Sequence, residues 1–277
     1  GIIHINIDEV TMNSKLDILR GNIEKLESAF VAYSGGVDST FLLKVSHDIL
    51  GDKAVAITID SGLLPRQELE EANKFCKEEG IKHIVLMLDA VSIPGIVQNP
   101  VDRCYFCKKC IYKTIIKESK THGISNIIEG SNIDDLEDYR PGNRAVKELG
   151  IISPLVDAGF SKAEIRSFSR KLGLSVSEKE SSACLASRIP YGEEITMDKL
   201  EKIEKAEDFL KNFGFRNLRV RLHGDGLARI EVMEADFDKV LKMRREIISK
   251  LNKLGFKYVT LDVAGYRMGS MNEAINK

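Results

Sequence analysis

Tryptophan is absent from the 277-residue chain, and that absence excludes nothing; its other shortages exclude more. No apolar run approaches the roughly 20 residues needed to span a bilayer. No stretch has the charged, apolar and small-residue order of a secretory leader. A soluble, cytoplasmic protein is therefore expected, with no membrane partner. The formal net charge is −1, so no global basic field argues for nucleic acid, although local basic clusters are still compatible with it. There is no internal repeat and no low-complexity segment. Cysteines number five, an odd count, and three of them fall between Cys104 and Cys110. In a reducing compartment that spacing favours metal or catalysis over disulfides.

What is present suits a globular enzyme. Hydrophobic residues make up 43% and charged residues 30%, enough for one large or two smaller domains with a sizeable core. Gly1 is not expected to be a native start, and a helix is expected after Met12, with Leu16, Leu19, Ile23 and Leu26 on one face. The chain is organised around Ser34-Gly35-Gly36-Val37-Asp38-Ser39. This run follows the apolar stretch Ala29–Ala32, a predicted strand, and precedes Phe41-Leu42-Leu43, Val45 and Ile49-Leu50, a predicted helix. The first N–H groups of that helix have no intrahelical partner and lie at the positive end of its dipole, which suits phosphate. Two glycines allow close backbone approach. Ser34 and Ser39 add hydroxyl donors, and Asp38 can hold Mg²⁺ at the phosphates. The spacing is not that of the GxxxxGK[ST] loop, and the run has no lysine. It resembles the PP-loop of the N-type ATP pyrophosphatases, which cleave ATP to AMP and pyrophosphate while adenylating an oxygen that is then displaced.

Further strands are expected at Ala54–Ile59, His83–Leu88 and Asn126–Glu129, alternating with helices, one from Pro65 to Glu79 and one from about Cys104 to His122. That alternation predicts an α/β fold with a doubly wound parallel sheet. Asp60, Ser61 and Gly130 follow strands, at the carboxyl ends where open parallel sheets bind ligands. Ser161 and Glu164 form a capping-box pattern for a helix ending near Gly173. From Thr196 the pattern becomes αββαβ: a helix from Met197 to Phe213, strands at Leu218–Leu222 and Ala228–Val232 around a Gly224-Asp225-Gly226 turn, a helix from Asp238 to Leu254, and a strand at Tyr258–Val263. Two domains are expected, residues 12–195 and a smaller α+β domain at 196–277.

Cys104, Cys107 and Cys110 form C-x2-C-x2-C. A ferredoxin-like loop could use all three for an iron–sulfur cluster. On a helix, however, positions i and i+3 are neighbours and i+6 is rotated away. Cys110 aligns instead with Phe106, Ile111 and Thr114, and is expected in the core, as is Cys76. Cys184 is the remaining cysteine in a loop punctuated by Gly, Ser and Pro. Three thiolates would suit zinc only with a fourth ligand, and no histidine lies near either segment. A [4Fe–4S] site on Cys104, Cys107 and Cys184 with one open iron is the sharper reading, and unrelated free thiols the plainer one. Arg188, Arg219 and Arg221 could clamp a substrate phosphate or carboxylate with bidentate forks, though each alone is an ordinary structural charge.

Taken in order, Ser34–Ser39, Leu64-Pro65-Arg66-Gln67-Glu68-Leu69, Asp102–Lys108, Gly130–Asp135, Asp138–Gly142, Cys184–Gly192, Arg219-Val220-Arg221 and Gly265-Tyr266-Arg267 resemble the LarE family of PP-loop sulfur transferases over nearly the whole chain after Met12. The resemblance implies the PP-loop ATP pyrophosphatase fold (adenine nucleotide alpha hydrolase-like). It further implies ATP and Mg²⁺ as reactants, with Ser34, Gly35, Gly36, Val37, Asp38, Ser39, Asp60, Ser61 and Gly130 around the nucleotide. The implied chemistry is adenylation of a carboxylate on a pyridinium mononucleotide and its conversion to a thiocarboxylate, with Asp38 and Cys184 catalytic. Some family members give up the sulfur of a lone cysteine at the position of Cys184. Others hold a [4Fe–4S] cluster on three cysteines and pass on an extra bound sulfide. Cys104 and Cys107 beside Cys184 make this chain similar to the cluster kind, with a sulfide donor as partner and a homo-oligomer as the assembly. Glu180-Ser181-Ser182 replaces the family's usual Pro-Ala before Cys184, and Cys110 is additional. The alternatives are a tRNA thiouridine synthetase, which would need tRNA and a basic docking surface, and a non-catalytic iron–sulfur or zinc scaffold on the same fold.

Overall fold

A computed structural model describes residues 7–137, 141–180 and 183–274. Asp138, Tyr139 and Arg140 of the family-like run, and Ser181 and Ser182 before Cys184, lie outside the described residues. The chain forms two units: Gly1–Leu88 with Cys104–Ser182, and Asp89–Arg103 with Ala183–Lys277.

The first unit begins with helix α1 (Ile7–Glu24), which starts ahead of Met12. It continues through β1 (Ala29–Ala32), α2 (Val37–Leu50), β2 (Ala54–Asp60), α3 (Arg66–Glu79), β3 (His83–Met87), α4 (Arg103–Thr121) and β4 (Ile127–Ile128). Four helices follow: α5 (Asp134–Glu137), α6 (Pro141–Glu148), α7 (Pro154–Asp157) and α8 (Lys162–Lys171). The sheet order is β3-β2-β1-β4, and every pairing is parallel. β2 is buried along its whole length, as a central parallel strand should be. Strand alternation divides the core in two. Ala29 and Val31 pack with Leu19, Phe41, Leu42, Phe160 and Phe168 on one face. Phe30 of β1 and Val55, Ile57 and Ile59 of β2 pack with Tyr112, Ile115 and Val146 on the other. β4 is shorter than the expected strand, and Ile152 extends its edge through an isolated parallel bridge to Ile128.

This order fixes where a ligand can sit. From β1 the chain moves outward to β2 and β3, then returns to the other side of β1 as β4. The reversal between β1 and β4 is a topological switch point, and the crevice at the strand carboxyl ends there is the place such sheets bind ligands. The segments emerging into it are Ser34–Ser39 after β1 and Gly130–Asp135 after β4.

The second unit contains α9 (Met197–Asn212), β5 (Leu218–His223), β6 (Leu227–Val232), α10 (Phe237–Lys242), α11 (Arg244–Lys253) and β7 (Tyr258–Leu261). β5 and β6 form the expected hairpin, with Gly224 at φ 53, and β7 adds parallel to β6. The single helix expected from Asp238 to Leu254 is broken at Met243 (φ −91, ψ 8). Val240, Ile247 and Leu251 nevertheless remain on one buried stripe across the break. Asn99 stitches the two segments of this unit together. It is fully buried, and its Nδ2 donates to the Ile189 and Pro190 carbonyls at 3.0 and 2.7 Å. No helix among the described residues is long and apolar enough to cross a membrane.

Candidate active site

In the first unit the loop after β1 is shaped by glycine where the sequence demands it. Gly35 has φ 76, and a Cβ there would stand 3.2 Å from the Glu68 carbonyl oxygen and 3.3 Å from Ala72 Cβ. Gly36 is the N-cap of α2 and has no side chain with which to cap the first N–H groups. Thr40 closes the turn, its N and Oγ1 both donating to the Gly36 carbonyl at 2.9 and 2.8 Å. The Ser39 hydroxyl donates to the same carbonyl at 3.2 Å and lies 3.2 Å from the Ser34 hydroxyl. Gly130 lies directly against this helix start: a Cβ there would be 2.9 Å from the Ser39 backbone nitrogen. The structure therefore brings Ser34 to Ser39 and Gly130 together at the switch point.

Asp38 is held in the first turn of α2. Its Oδ2 accepts from Lys162 Nζ at 2.5 Å, and its Oδ1 is buried with no hydrogen-bond partner among the described residues. Burial raises its carboxyl above the ordinary carboxylate range, and the Lys162 hydrogen bond and charge only partly oppose this. An orphaned buried carboxylate oxygen is costly. A hard divalent cation accepts such an oxygen as ligand, so the donor chemistry fits Mg²⁺ at Asp38. Asp60, at the end of β2, is nearly fully buried, and both its oxygens are engaged by Arg66, at 2.5 and 3.0 Å. Ser61 beside it is also buried.

Three site-forming residues in this unit carry no motif. Lys162 is one. Lys179 pairs with Glu68 at 2.5 Å and Glu71 at 2.6 Å, and its Nζ lies 3.4 Å from the Gly35 carbonyl. Glu129 is buried and accepts from the Ser131 and Ser153 hydroxyls at 2.7 and 2.6 Å, which orders the loop after Gly130. The only sequence signal at Lys162 is the capping box around it, with Ser161 as N-cap and Glu164 at its third position.

The cysteines separate by environment. Cys76 is buried, and burial pushes its thiol up to about 12, so it is an inert core thiol. Cys104 is exposed and Cys107 half-buried, one turn apart at the start of α4. Cys110 is half-buried too, where the spacing predicts a core position. The buried face of α4 is Tyr105, Tyr112, Ile115 and Ser119, and the Phe106–Cys110–Thr114 face lies to its flank. Cys184 belongs to the second unit and is half-buried. Among the described residues no three His, Cys, Asp or Glu side chains form a preassembled metal group. The soft thiol donors themselves are of the kind that iron–sulfur clusters take.

In the second unit Cys184 caps a short 3-10 turn, Leu185–Arg188, that is built on two buried ion pairs. Arg188 is 2% exposed; it bonds Glu207 through two nitrogens at 2.8 and 2.9 Å and donates to the Ala183 and Cys184 carbonyls at 2.7 and 3.2 Å. Burial pushes Glu207 up, but Arg188 and the Val220 N–H together hold it below the ordinary range. Arg221 bonds Glu231 at 3.1 and 2.8 Å and donates to the Ser187 carbonyl at 3.0 Å. Both forks are thus engaged in holding the turn that presents Cys184. Arg219 differs. It lies over the Tyr266 ring at 5.2 Å, and its nitrogens donate to the Leu218 carbonyl and the Tyr266 hydroxyl. Burial and the nearby Arg188 charge lower its pKa, and the Glu207 carboxylate partly opposes this.

Removing the Arg188 partner has a measurable cost. Glu207→Ala leaves a buried guanidinium without its carboxylate, and breaking such a pair costs about 3–5 kcal/mol. Denaturant unfolding monitored on the full chain should show that loss. A change below about 1 kcal/mol would mean the pair does not hold the unit together.

A family model described as queuosine biosynthesis protein QueC matches residues 28–99, which span β1, the glycine loop, α2, β2, α3 and β3. A protein of Lactiplantibacillus plantarum named pyridinium-3,5-bisthiocarboxylic acid mononucleotide synthase is 36% identical over 268 residues, covering 96% of this chain and 97% of that protein. An uncharacterized protein of Synechocystis is 41% identical over 96% of this chain and its own full length. An uncharacterized protein of Methanocaldococcus jannaschii is 33% identical over 91% of this chain and 97% of its own length.

Proposed function

Because the chain belongs to the LarE family of ATP-dependent PP-loop sulfurtransferases, we propose that it adenylates a carboxylate of a pyridinium-3,5-biscarboxylate mononucleotide and exchanges the activated oxygen for sulfur. The observation that carries this reading is the 36% identity, running through both units, to a protein named for the bisthiocarboxylic acid product.

The N–H groups at the start of α2, with the Ser34 and Ser39 hydroxyls, bind the ATP phosphates, and Asp38 holds Mg²⁺ through its orphaned Oδ1. Asp60, Ser61 and Gly130 shape the nucleotide crevice. The substrate carboxylate oxygen attacks the α-phosphorus, and the bond from that phosphorus to the bridging oxygen breaks. Pyrophosphate leaves with the electron pair. A sulfide sulfur then bonds the activated carbonyl carbon, and the C–O bond to AMP breaks. Splitting one hard substitution into two easier ones is the gain. Arg219 takes the substrate phosphate or carboxylate, while Arg188 and Arg221 position the Cys184 turn.

Cys104, Cys107 and Cys184 are the thiols that would hold a [4Fe–4S] cluster. Bound there, it would supply an iron without a protein ligand at which sulfide can be carried.

Anaerobic purification with iron and sulfide assays tests the ligand set. Cys104→Ala, Cys107→Ala and Cys184→Ala should each lose the iron, and Cys76→Ala and Cys110→Ala should keep most of it. Iron retained by Cys184→Ala, or lost from Cys110→Ala alone, would overturn the assignment. Acceptor-dependent formation of AMP and pyrophosphate, assayed with the biscarboxylate mononucleotide, tests the reaction class.

A further inference from the structure

The second unit carries its charge unevenly. Helices α10 and α11 hold the cations Lys239, Lys242, Arg244, Arg245, Lys250 and Lys253 against two acids, Asp238 and Glu246. All of these cations but Lys239 are exposed. Among the described residues none of the six pairs with a carboxylate, whereas Lys205 and Lys211 on α9 each pair with an acid of their own helix. Aromatic rings hold two of the six in place without neutralising them: Lys239 lies over Phe215 at 4.4 Å and Lys250 over Phe209 of α9 at 5.9 Å. The basic surface continues onto α9 through Lys202, which lies over Phe256 at 4.4 Å and donates to the Gly255 carbonyl at 2.6 Å. Burial lowers the pKa of the Lys202 ammonium, and the charges of Lys257 and Lys199 lower it further against Asp225. Two large apolar side chains stand exposed in the middle of this surface. Val240, Ile247 and Leu251 share one buried stripe, so the helical phase carries across the break at Met243. Leu241 and Ile248, each one residue further on, therefore share the adjoining stripe, with Arg244 and Arg245 between them at i+3 and i+4. Leu241 is 54% exposed and Ile248 44%.

We propose that the α10–α11 face is a docking surface for an acidic protein, which sets apolar side chains against Leu241 and Ile248 and carboxylates against Arg244 and Arg245. Charge complementarity carries the first half of this. Lys239 and Lys242, Lys242 and Arg245, and Lys250 and Lys253 are like charges one turn apart, a spacing that opposes the helix unless an anion relieves it. The apolar centre carries the second half. A nucleic acid would use the cations alone, since phosphates gain nothing from leucine and isoleucine. No aromatic ring stands between Leu241 and Ile248 to stack a base. Protein interfaces instead centre on apolar side chains and arginine, with lysine depleted from the centre, and this face has that arrangement. The outlying lysines would steer an acidic partner toward the centre and make its capture salt-dependent. The surface uses no residue assigned to the sulfur-transfer reaction, and it stands whether or not that reaction is the right one.

Fluorescence anisotropy on the full chain tests this with three labelled probes of equal charge: a glutamate-rich peptide with leucines at helical spacing, polyglutamate, and single-stranded polyuridylate. The leucine-bearing peptide should bind at least about tenfold tighter than either of the others, and its affinity should fall as salt rises. Arg244→Glu combined with Arg245→Glu should weaken it on the order of tenfold, the result of losing two exposed ion pairs and gaining two repulsions. Leu241→Ser combined with Ile248→Ser should remove its advantage over polyglutamate and leave polyglutamate binding unchanged. All four positions are exposed, so circular dichroism and pyrophosphate release should match the wild type in both variants. Polyuridylate bound as tightly as the leucine-bearing peptide would make the face a nucleic-acid surface. A preference for that peptide surviving Leu241→Ser with Ile248→Ser would place its binding elsewhere. A change in sedimentation of either variant without any probe would show that a second copy of the chain covers the face. Each of these results overturns the proposal, as does the absence of salt-dependent binding by the leucine-bearing peptide.

Discussion

Asp38→Ala is expected to lower pyrophosphate release by about a thousandfold or more, while leaving the fold and the iron content unchanged. The size follows from what the carboxylate does. A metal ion stabilising the charge that develops on a departing phosphate supplies several kcal/mol, and removing one preorganised electrostatic group of this kind costs two to three orders of magnitude. Losing the ligand that fixes the ion removes both its charge and its position. The fold should survive because Asp38 is only half-buried and its partner Lys162 keeps solvent access. Asp38→Asn is the companion variant: it preserves shape and one acceptor oxygen but not the charge, and it should fall nearly as far. The measurement is release of pyrophosphate coupled to a colorimetric phosphate assay, with circular dichroism and iron content on the same samples. Full activity in Asp38→Ala would remove Asp38 from the site, and with it the assignment of the loop as an ATP-binding device.

Much of that site could be read before any coordinates. Ser34 to Ser39 announce themselves because a buried strand, two glycines and an apolar-periodic helix are all local signals, and the sheet that follows is parallel as the alternation of elements requires. The buried ion pairs could not be read in the same way. Arg188 meets Glu207 from 19 residues away on another element, and Arg221 meets Glu231 from 10 residues away across the hairpin. Nothing local distinguishes an arginine that grips a ligand from one that grips a buried glutamate. Lys162 is the extreme case, 124 residues from Asp38. Cys110 misleads for a different reason. Helical spacing correctly groups it with Phe106 and Thr114, but periodicity cannot say which of two apolar stripes faces the sheet. The stripe with Tyr112 and Ile115 does so.

The sulfur in the product is expected to come from added sulfide, with Cys184 intact after many turnovers. If Cys184 gave up its own sulfur, its Cβ–S bond would break, dehydroalanine would remain, and each chain would act once. Such a chain needs no thiol besides Cys184, yet Cys104 and Cys107 stand at least partly exposed, one turn apart, at the start of α4. The turn that Cys184 opens is also expensive to build. Two buried arginine–glutamate pairs hold the carbonyls of Ala183, Cys184 and Ser187, and a polar or charged group is buried only at a cost. A scaffold of that kind suits a thiolate that stays in place as a ligand. Hydrosulfide, a soft donor, is a fitting external source for a site of thiolates and iron. The experiment is anaerobic turnover with ATP, Mg²⁺, the pyridinium-3,5-biscarboxylate mononucleotide and isotopically labelled sulfide, followed by mass analysis of product and intact protein. Label should accumulate in the product beyond one equivalent per chain, and the polypeptide mass should not change. Dehydroalanine at Cys184 in one-to-one proportion with unlabelled product would falsify this account and place the chain with the family members that consume their own cysteine.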